Sequence, residues 1–287
     1  MATVREIRRR MRSIKNISQI TKAVQMVAAS KMKRAQEQAL RGQPYSEVME
    51  QMLEKLASRT DPSFHPLLKR EVEGAKKTCL LFLTPNKGLC GGLLADLSKT
   101  LLEVVRKEAE IGFLLVGKKG RDVLLKLGQE ILADFPNLPD QPLFAETVPL
   151  SKIMIEGFIK GEFGKVLVVY PHFVNTLVQQ SRVKQILPIE EELEEERIDG
   201  YILFEPSPEA ILNQLLPFYI ELLIYHLILE SIASEHSARM RAMKSATDNA
   251  LEILSDLTLT YNQARQRVIT QEVAEIASAR KAMERYD

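Results

Sequence analysis

Residues 222–268 read LLIYHLILESIASEHSARMRAMKSATDNALEILSDLTLTYNQARQRV and contain neither glycine nor proline. Apolar and small side chains recur along them at alternating spacings of three and four residues, the spacing of one face of an α-helix. The seam formed by these positions runs through Leu222, Tyr225, Leu229, Ile232, His236, Met240, Met243, Thr247, Ala250, Leu254, Leu257, Tyr261, Ala264 and Val268. Its one four-four step, at His236, locally unwinds a left-handed supercoil. The stretch therefore predicts one long helix that packs along its seam against a second helix.

Both ends of the chain share this lack of helix breakers. All 13 glycines and all 13 prolines fall between Gly42 and Pro217, which leaves the first 41 and the last 70 residues free of both. At a rise of about 1.5 Å per residue, the tail would be about 105 Å long and the head at least about 60 Å. The residues between them would form a body with a radius of gyration of only about 16 Å. The two ends are therefore predicted to project from that body and to wind around each other.

The head of the chain has a helical stripe of its own. Thr3, with Glu6 three residues later, is typical of a capping box at the start of a helix. We expect this helix to pass Gly42 and Pro44 with a kink and to continue towards Pro62. Its stripe, whose side chains become smaller along the helix, consists of Val4, Ile7, Met11, Ile14, Ile17, Ile20, Val24, Val27, Ala28, Ala35 and Ala39. Small residues in both seams favour a close antiparallel pair inside a larger assembly over a free zipper.

The period changes in the middle of the chain, where short apolar runs are typical of buried strands. Helical stretches lie between these runs, and the alternation favours an open α/β sheet. Strands are predicted at 78–84, 111–116, 165–170 and 201–204, an edge strand at 176–187, and helices at 93–110, 120–127 and 150–160. The predicted fold is α/β, with a long antiparallel coiled coil of N- and C-terminal helices plus a Rossmann-like α/β domain. We assign 1–60 to the first coiled-coil helix, 75–206 to the α/β domain and 208–287 to the second.

The composition is that of an ordinary soluble protein, with 45% hydrophobic and 27% charged residues. Cys79 and Cys90 have no metal-binding spacing, so we expect reduced thiols in a cytosol-like compartment. The basic start of the chain lacks the apolar core of a secretory signal, and no stretch approaches 18 uninterrupted apolar residues. Any association with a membrane is therefore expected to be peripheral.

The net charge of +1 conceals a strong asymmetry along the chain. Residues 1–34 hold ten lysines and arginines against one acid, Glu6, a local balance of +9. A basic arm of this kind suits nucleic acid, an acidic protein surface or a solvated helix face. It lacks interleaved aromatic residues and any nucleic-acid module, which speaks against nucleic acid. The glutamates of 190–196 form an acidic run that we interpret as a solvated loop or helix edge.

The sequence contains none of the common catalytic or nucleotide-binding motifs. The loop at 84–92, TPNKGLCGG, follows the first strand where a nucleotide-binding α/β fold would hold phosphate. It matches neither common glycine-rich fingerprint, so a tight strand-to-helix turn is the alternative that we favour. The four histidines, His65, His172, His226 and His236, show no ligand spacing, and neither a nucleophile elbow nor a zinc-protease motif is present. The sequence therefore predicts a non-catalytic protein with no cofactor and no metal.

Several segments carry a resemblance to a known family. They are TKAVQMVAASKMKRAQ at 21–36, SEHSARMRAM at 234–243, ATDNA at 246–250, YNQARQ at 261–266, ITQE at 269–272, GLCGG at 88–92 and FEPS at 204–207. In this order they resemble the gamma subunit of F-type ATP synthases over essentially the full chain. Val24 stands where the family usually has Met, and 85–87 read PNK in place of Ser-Asp-Arg. The end at 279–285 is charged where the family is rich in Gly and Ala.

The resemblance implies a central-stalk rotor that couples proton flow to ATP synthesis or hydrolysis. The two terminal helices would form a shaft inside a ring of three α and three β subunits. The α/β domain would stand on the ring of c subunits, with the epsilon subunit alongside. Catalysis would belong to the β subunits, and the chain would lie peripherally at the cytoplasmic face of a bacterial cell membrane. The redox insertion of the chloroplast form is absent, which favours a bacterial enzyme without thiol regulation.

The resemblance also implies roles for single residues. Positions expected to contact the catch loops of β are Lys22, Val24, Arg239, Arg265 and Gln266, and those expected at the shaft or its bearing are Thr270, Gln271 and Glu272. Two other classes of protein stay open. A nucleotide-using α/β enzyme would bind or hydrolyse ATP as an isolated chain. A basic coiled-coil nucleic-acid binder would show strongly salt-dependent affinity for DNA.

Overall fold

The computed structural model describes residues 3–57, 65–68, 77–189, 205 and 207–283. Its helices are α1 (Val4–Ala57), α2 (Leu93–Lys107), α3 (Lys118–Lys126), α4 (Phe144–Ile159) and α5 (Pro208–Met283). Its strands are β1 (Thr78–Leu83), β2 (Ile111–Val116), β3 (Ile131–Phe135), β4 (Lys165–Phe173) and β5 (Gln179–Leu187). A short 3-10 helix lies at Pro66–Leu68. The terminal segments are thus two long continuous helices, as their lack of breakers predicts.

The chain divides into two compact units. Residues 1–27 and 240–287 form the first, which we call the helix-pair unit, and residues 28–239 form the second, the α/β unit. Both α1 and α5 contribute to each unit. The units therefore differ from the domains assigned from the sequence, 1–60, 75–206 and 208–287, because those bounds keep each terminal helix whole.

The α/β unit contains a five-stranded sheet with the order β3-β2-β1-β4-β5. Strands β1 to β4 are parallel, and β5 runs antiparallel to β4 at one edge, where Val169 faces Val183. This arrangement confirms the predicted α/β sheet and its edge strand. Strand β3 was not predicted, because its residues are mostly half-buried and show little apolar contrast. The predicted strand at 201–204 and the acidic run at 190–196 lie outside the described residues.

Side chains from the two faces of the sheet form two apolar layers. On one face, Leu81 and Leu83 of β1 pack in a cluster with α4 and with the first part of α5. On the other face, Leu80 and Phe82 pack in a cluster with α2 and α3. Every residue of β1 is buried, as expected for a central strand covered by helices on both sides.

Helix α5 contains the most apolar segment in the described part of the chain. By length and composition alone, it is the one helix there that is apolar enough to cross a membrane, with a mean hydropathy of 1.6 in an 18-residue window. Half of that window is buried within the protein. Leu216, Ile220 and Ile224, which lie near the start of α5, belong to the apolar cluster on the sheet. The apolar character of this segment is therefore accounted for by the core.

Helices α1 and α5 run antiparallel within the α/β unit. Lys31 of α1 and His236 of α5 both approach Asp140, and further along α1 Gln38 Nε2 donates to Tyr225 Oη at 2.7 Å. As the residue number rises from Lys31 to Gln38 along α1, the facing residue number on α5 falls from His236 to Tyr225. Helix α1 continues through Gly42, as predicted, and a Cβ atom there would lie 2.8 Å from His226 Cε1. A glycine at this point allows the two helices to approach closely.

The helix-pair unit begins with the predicted capping box. Thr3 N donates to Glu6 Oε2 at 2.8 Å, and Glu6 N donates to Thr3 Oγ1 at 3.3 Å. The tail seam is also confirmed, since Met243, Thr247 and Ala250 are buried. The seam positions that follow are half-buried as far as Ala264.

The stripe predicted for α1 is partly wrong. Ile17, Ile20 and Val27 are 45%, 63% and 55% exposed. Helix α1 is rotated about its axis so that Ser18 is buried instead. Thr21 is half-buried, and its Oγ1 lies 2.7 Å from Thr247 Oγ1 on α5. The three-four spacing from Ile14 continues through these two polar residues. The isoleucines one position earlier therefore lie on the outer face.

The phase of α1 is testable by alanine substitution. We expect Ile20→Ala to change the free energy of unfolding by less than about 0.5 kcal/mol, because its side chain is mostly exposed. Met243→Ala, in the buried seam of the same unit, is expected to cost about 2 kcal/mol, the lower end for a buried large side chain. Denaturant unfolding followed by circular dichroism measures both. Equal losses for the two variants would contradict this phase.

Candidate functional site

A short segment of α5 is buried around its whole circumference. All seven residues from Ala233 to Arg239, with the sequence ASEHSAR, are buried. Seven consecutive helical residues span nearly two turns and point in every direction, so the protein surrounds the helix here. Five of the seven are polar, and Ser234 and Ser237 are fully buried. Buried polar side chains require hydrogen-bond partners. This segment, which we call the polar collar, is therefore our candidate functional site.

Arg239 binds the loop that follows β1. Its Nη2 donates to Lys87 O at 2.8 Å and its Nε donates to Gly88 O at 3.2 Å. Nη2 also donates to Glu235 Oε1 at 2.6 Å, one turn earlier on α5. The other carboxylate oxygen of Glu235 accepts from Asn86 N at 3.3 Å. The pair thus satisfies both donors and acceptors of the loop backbone.

Burial dominates the electrostatics of this pair. It raises the pKa of Glu235, while the charge of Arg239 and its hydrogen bond act in the opposite direction. A buried ion pair contributes little net stability but constrains geometry, since removing one partner leaves an uncompensated charge. Glu235 and Arg239 therefore hold the loop in one position relative to α5.

His236 faces a second loop, which precedes α4. Its Nδ1 lies 3.1 Å from Arg239 Nη1, and because a guanidinium can only donate, Nδ1 must be the unprotonated acceptor. The proton of the neutral ring then lies on Nε2, which is 3.7 Å from Asp140 Oδ1. Asp140 also forms an ion pair with Lys31 of α1. Burial acts to raise the pKa of Asp140, but its hydrogen bond and ion pair with Lys31 outweigh burial and hold that pKa below its usual range.

A third set of contacts joins α5 to the hairpin between β4 and β5. Ser237 Oγ donates to Thr176 O at 2.9 Å and lies 3.2 Å from Gln179 Nε2, which donates to it. Two and a half turns before the end of the collar, Glu230 Oε1 accepts from Phe173 N at 2.9 Å. The loop after β1 and the β4–β5 hairpin therefore bind a single ten-residue stretch of α5, and the loop before α4 faces the same stretch at His236.

The polar collar lies where an open α/β sheet would bind a ligand, beyond the carboxyl ends of the parallel strands. The loop after β1 is anchored by Thr84, whose Oγ1 accepts from Gly120 N at 3.0 Å. Its carbonyls at Lys87 and Gly88 are engaged by Arg239, as described above. The described residues include no group of three acidic, histidine or cysteine side chains suited to a metal ion. These contacts favour the tight-turn interpretation of this loop over a phosphate site.

The structure corrects one predicted contact residue. Arg239 was expected at a partner surface, but its side chain is only 6% exposed and its donors bind the chain itself. Lys22 is exposed and Val24 is half-buried in the helix-pair unit. The remaining predicted residues are all exposed on the last part of α5, namely Arg265, Gln266, Thr270, Gln271 and Glu272.

Sequence reasoning missed most of the collar. Glu235, Ser237 and Asp140 carry no motif that identifies them as partners, because their contacts join segments far apart in the chain. The one available signal was the polar run SEHS at 234–237, which crosses the helical seam at His236. A polar run that covers the seam and the faces beside it indicates that something other than an apolar helix packs around it.

The chain is similar to proteins of known identity. A family model described as ATP synthase matches residues 3–283. An ATP synthase gamma chain from Dehalococcoides mccartyi is 42% identical to this chain. The matched region covers 99% of this chain and 100% of that protein. One from a Roseiflexus species is 42% identical, with 99% of each chain covered. Among solved structures, a chain of the Euglena gracilis mitochondrial ATP synthase (OSCP/F1/c-ring) matches this fold with a TM-score of 0.71. The two chains are 21% identical, and the match covers 98% of this chain and 94% of that one.

The collar predicts a pH dependence of stability. Burial lowers the pKa of His236 from 6.5 to about 4, with Asp140 opposing this and Arg239, Lys31 and Lys87 adding to it. Below pH 6.5 the unfolded chain gains a proton that the folded chain does not, so stability falls as the pH drops towards about 4. The loss is on the order of 3 kcal/mol. Denaturant unfolding across this pH range measures it.

A matched variant separates the titration of His236 from that of the acidic residues. His236→Gln keeps an acceptor for Arg239 and a donor towards Asp140 but does not titrate. The difference in unfolding free energy between the natural chain and this variant should therefore shrink as the pH falls. Parallel curves for the two proteins would show that His236 does not remain neutral in the folded state.

Proposed function

Because this chain belongs to the family of ATP synthase gamma chains, we propose that it is the rotor subunit of an F-type ATP synthase. In this role it couples proton flow through the membrane sector to ATP synthesis or hydrolysis in the β subunits. It does not catalyse the reaction itself. The observation that carries the proposal is the pair of long terminal helices that brackets a small α/β domain, together with identity over the full length of gamma chains.

An asymmetric shaft explains how such a chain would couple rotation to catalysis. A single rod inside a ring of three β subunits cannot contact all three in the same way. Each β subunit is then biased towards a different nucleotide affinity, and rotation of the rod exchanges these biases. This is a coupling free energy carried by differential contacts between the sites.

The C-terminal end of α5 has the surface expected of a helix enclosed by partner subunits. Every residue from Arg265 to Lys281 is exposed in the chain alone. Val268, Ile269, Val273 and Ile276 are 44% to 70% exposed, and at about 100° per residue they lie within about 140° of arc on one side of the helix. An exposed apolar stripe of this kind is normally buried against other protein. A ring of partner subunits that encloses this end would bury the stripe.

We propose seven residues as contacts with the ring. Lys22 and Val24 on α1, and Arg265 and Gln266 on α5, would meet the catch loops of β. Thr270, Gln271 and Glu272 would support the shaft in its bearing. Arg239 is left out, because its guanidinium is buried in the polar collar.

The remaining partners follow from the same proposal. The chain would join three α and three β subunits, the epsilon subunit and the c ring, and it would bind no nucleic acid. It would lie peripherally at the cytoplasmic face of the bacterial cell membrane. The basic head, which also suits a nucleic-acid binder, would then face protein surfaces of opposite charge.

Co-expression with the cognate α and β subunits tests the proposal directly. We expect a single large complex of three α, three β and one copy of this chain, which hydrolyses ATP. The isolated chain should neither hydrolyse ATP nor bind DNA with salt-dependent affinity. Sizing by light scattering and a turnover assay measure these outcomes. Turnover by the isolated chain, or no complex with α and β, would overturn the assignment.

A double substitution tests the contact surface. Arg265→Ala with Gln266→Ala removes two exposed polar side chains and is expected to lower ATP-driven proton pumping by about tenfold, as loss of charged contacts at an interface would. The chain should fold normally, since exposed substitutions rarely change stability by more than about 0.5 kcal/mol. Arg106→Ala with Lys107→Ala, on exposed positions of α2, is the matched control. Equal pumping by both double variants would contradict the assigned contacts.

A further inference from the structure

Helix α5 is held in the α/β unit by two kinds of contact. Around Leu216, Ile220 and Ile224 it packs through apolar side chains on the sheet. In the polar collar, from Ala233 to Arg239, it is held mainly by hydrogen bonds and ion pairs. Apolar contact is non-directional, so its resistance to a turn or a slide of the helix comes from the interlocking of packed side chains alone. Hydrogen bonds weaken steeply when distance or angle changes, so they oppose both movements.

The collar contacts point in three directions around the helix axis. Successive residues of an α-helix are rotated by about 100°. Glu235, His236 and Ser237 therefore point about 100° apart in turn, and the first and last lie on nearly opposite sides. Glu235 meets the loop after β1, His236 faces the loop before α4, and Ser237 meets the β4–β5 hairpin.

Residues one or two turns away reinforce two of these directions. Arg239 lies one turn beyond Glu235 and binds the same loop at Lys87 O and Gly88 O. Glu230 lies two turns before Ser237 and binds the end of β4 at Phe173 N. Any rotation of α5 in the unit would therefore break contacts on opposite sides of the helix at once. No compensating contact would form, because the partners are carbonyl and amide groups fixed in the backbone of the loops.

We propose that the polar collar is a keyed joint, in which Glu235, Ser237 and Arg239 act as positioning residues. They fix the angle and the axial position of α5 in the α/β unit, so that the sheet and the helix turn as one body. This inference rests on the proposed rotor function, since only a chain that transmits torque needs such a joint. An apolar core of the same volume would hold the helix by side-chain packing but would lack these directional contacts.

The test exploits the difference between stability and geometry. Replacing a buried ion pair by apolar residues of similar volume often leaves a protein equally or more stable. Glu235→Leu with Arg239→Met is therefore expected to keep the fold while removing the directional contacts, with a melting temperature that falls because Asn86 N, Lys87 O and Gly88 O lose their partners. In the assembled complex in lipid vesicles, the ratio of protons pumped to ATP hydrolysed should fall by at least about fivefold, the lower end for coupled sites.

The control is a pair with the same spacing outside the collar. Glu156 and Lys160, four residues apart at the C-terminal end of α4 in the same unit, form an exposed ion pair. Glu156→Leu with Lys160→Met makes the same chemical change and should leave the pumping ratio as it is in the natural complex. Arg239→Lys with Glu235 retained keeps a cation for the loop carbonyls and should lose less of the ratio than Glu235→Leu with Arg239→Met.

The outcomes separate this inference from the assignment on which it rests. If the natural chain forms no pumping complex, the rotor function fails. If the natural and control complexes pump and the collar variant pumps equally well, the keyed joint is wrong. Should the collar variant not fold, Ser237→Ala with Gln179→Ala removes only the contacts to the hairpin. A fall of about twofold in the ratio would then support the joint, and an unchanged ratio would overturn it.

Discussion

The α/β unit depends on one constraint, which is that a helix surrounded by protein on all sides needs partners for the polar groups it buries. Helix α5 meets this constraint at Glu235, Ser237 and Arg239 by binding two loops that the sheet brings to one edge, whereas Ser234 Oγ and His236 Nε2 have no hydrogen-bond partner among the described residues. The loop after β1 in turn has its conformation set by α5, since Arg239 binds its carbonyl groups. Neither the loops nor the helix has this arrangement alone. The long helix is therefore a structural part of the α/β fold as well as a partner of α1.

Helix α5 changes its chemistry along its length in step with its surroundings. Its first part, around Ile220, is apolar and lies on the sheet. The collar is polar, the seam around Thr247 is small and half polar against α1, and the last part beyond Arg265 is exposed on every side. Each change follows from what the helix must pack against. Under the proposed rotor function, these parts would be the anchorage, the joint, the paired shaft and the part that meets the ring.

Several elements were predictable because they depend on local periodicity. The buried strands β1, β2 and β4 are uninterrupted apolar runs, and the tail seam from Met243 to Ala264 keeps its spacing of three and four. Strand β3 was missed because its half-buried residues have no such contrast. The phase of α1 was misjudged at Ile17 and Ile20, since two overlapping stripes both have helical spacing. The chemistry of the facing helix, at Thr247, selects the stripe with Ser18 and Thr21.

The sequence by itself determined that the chain has two long terminal helices, an α/β domain between them and the motifs of the gamma family. Helix breakers, strand runs and seams are local properties, so they can be read without knowing what lies nearby. Only the tertiary structure decided that Arg239 is buried and that Asp140, Glu235 and Ser237 meet around one helix. Burial and hydrogen bonding depend on which distant segments fold together. That information is held in the packing of the whole α/β unit and not in the spacing of any one stretch.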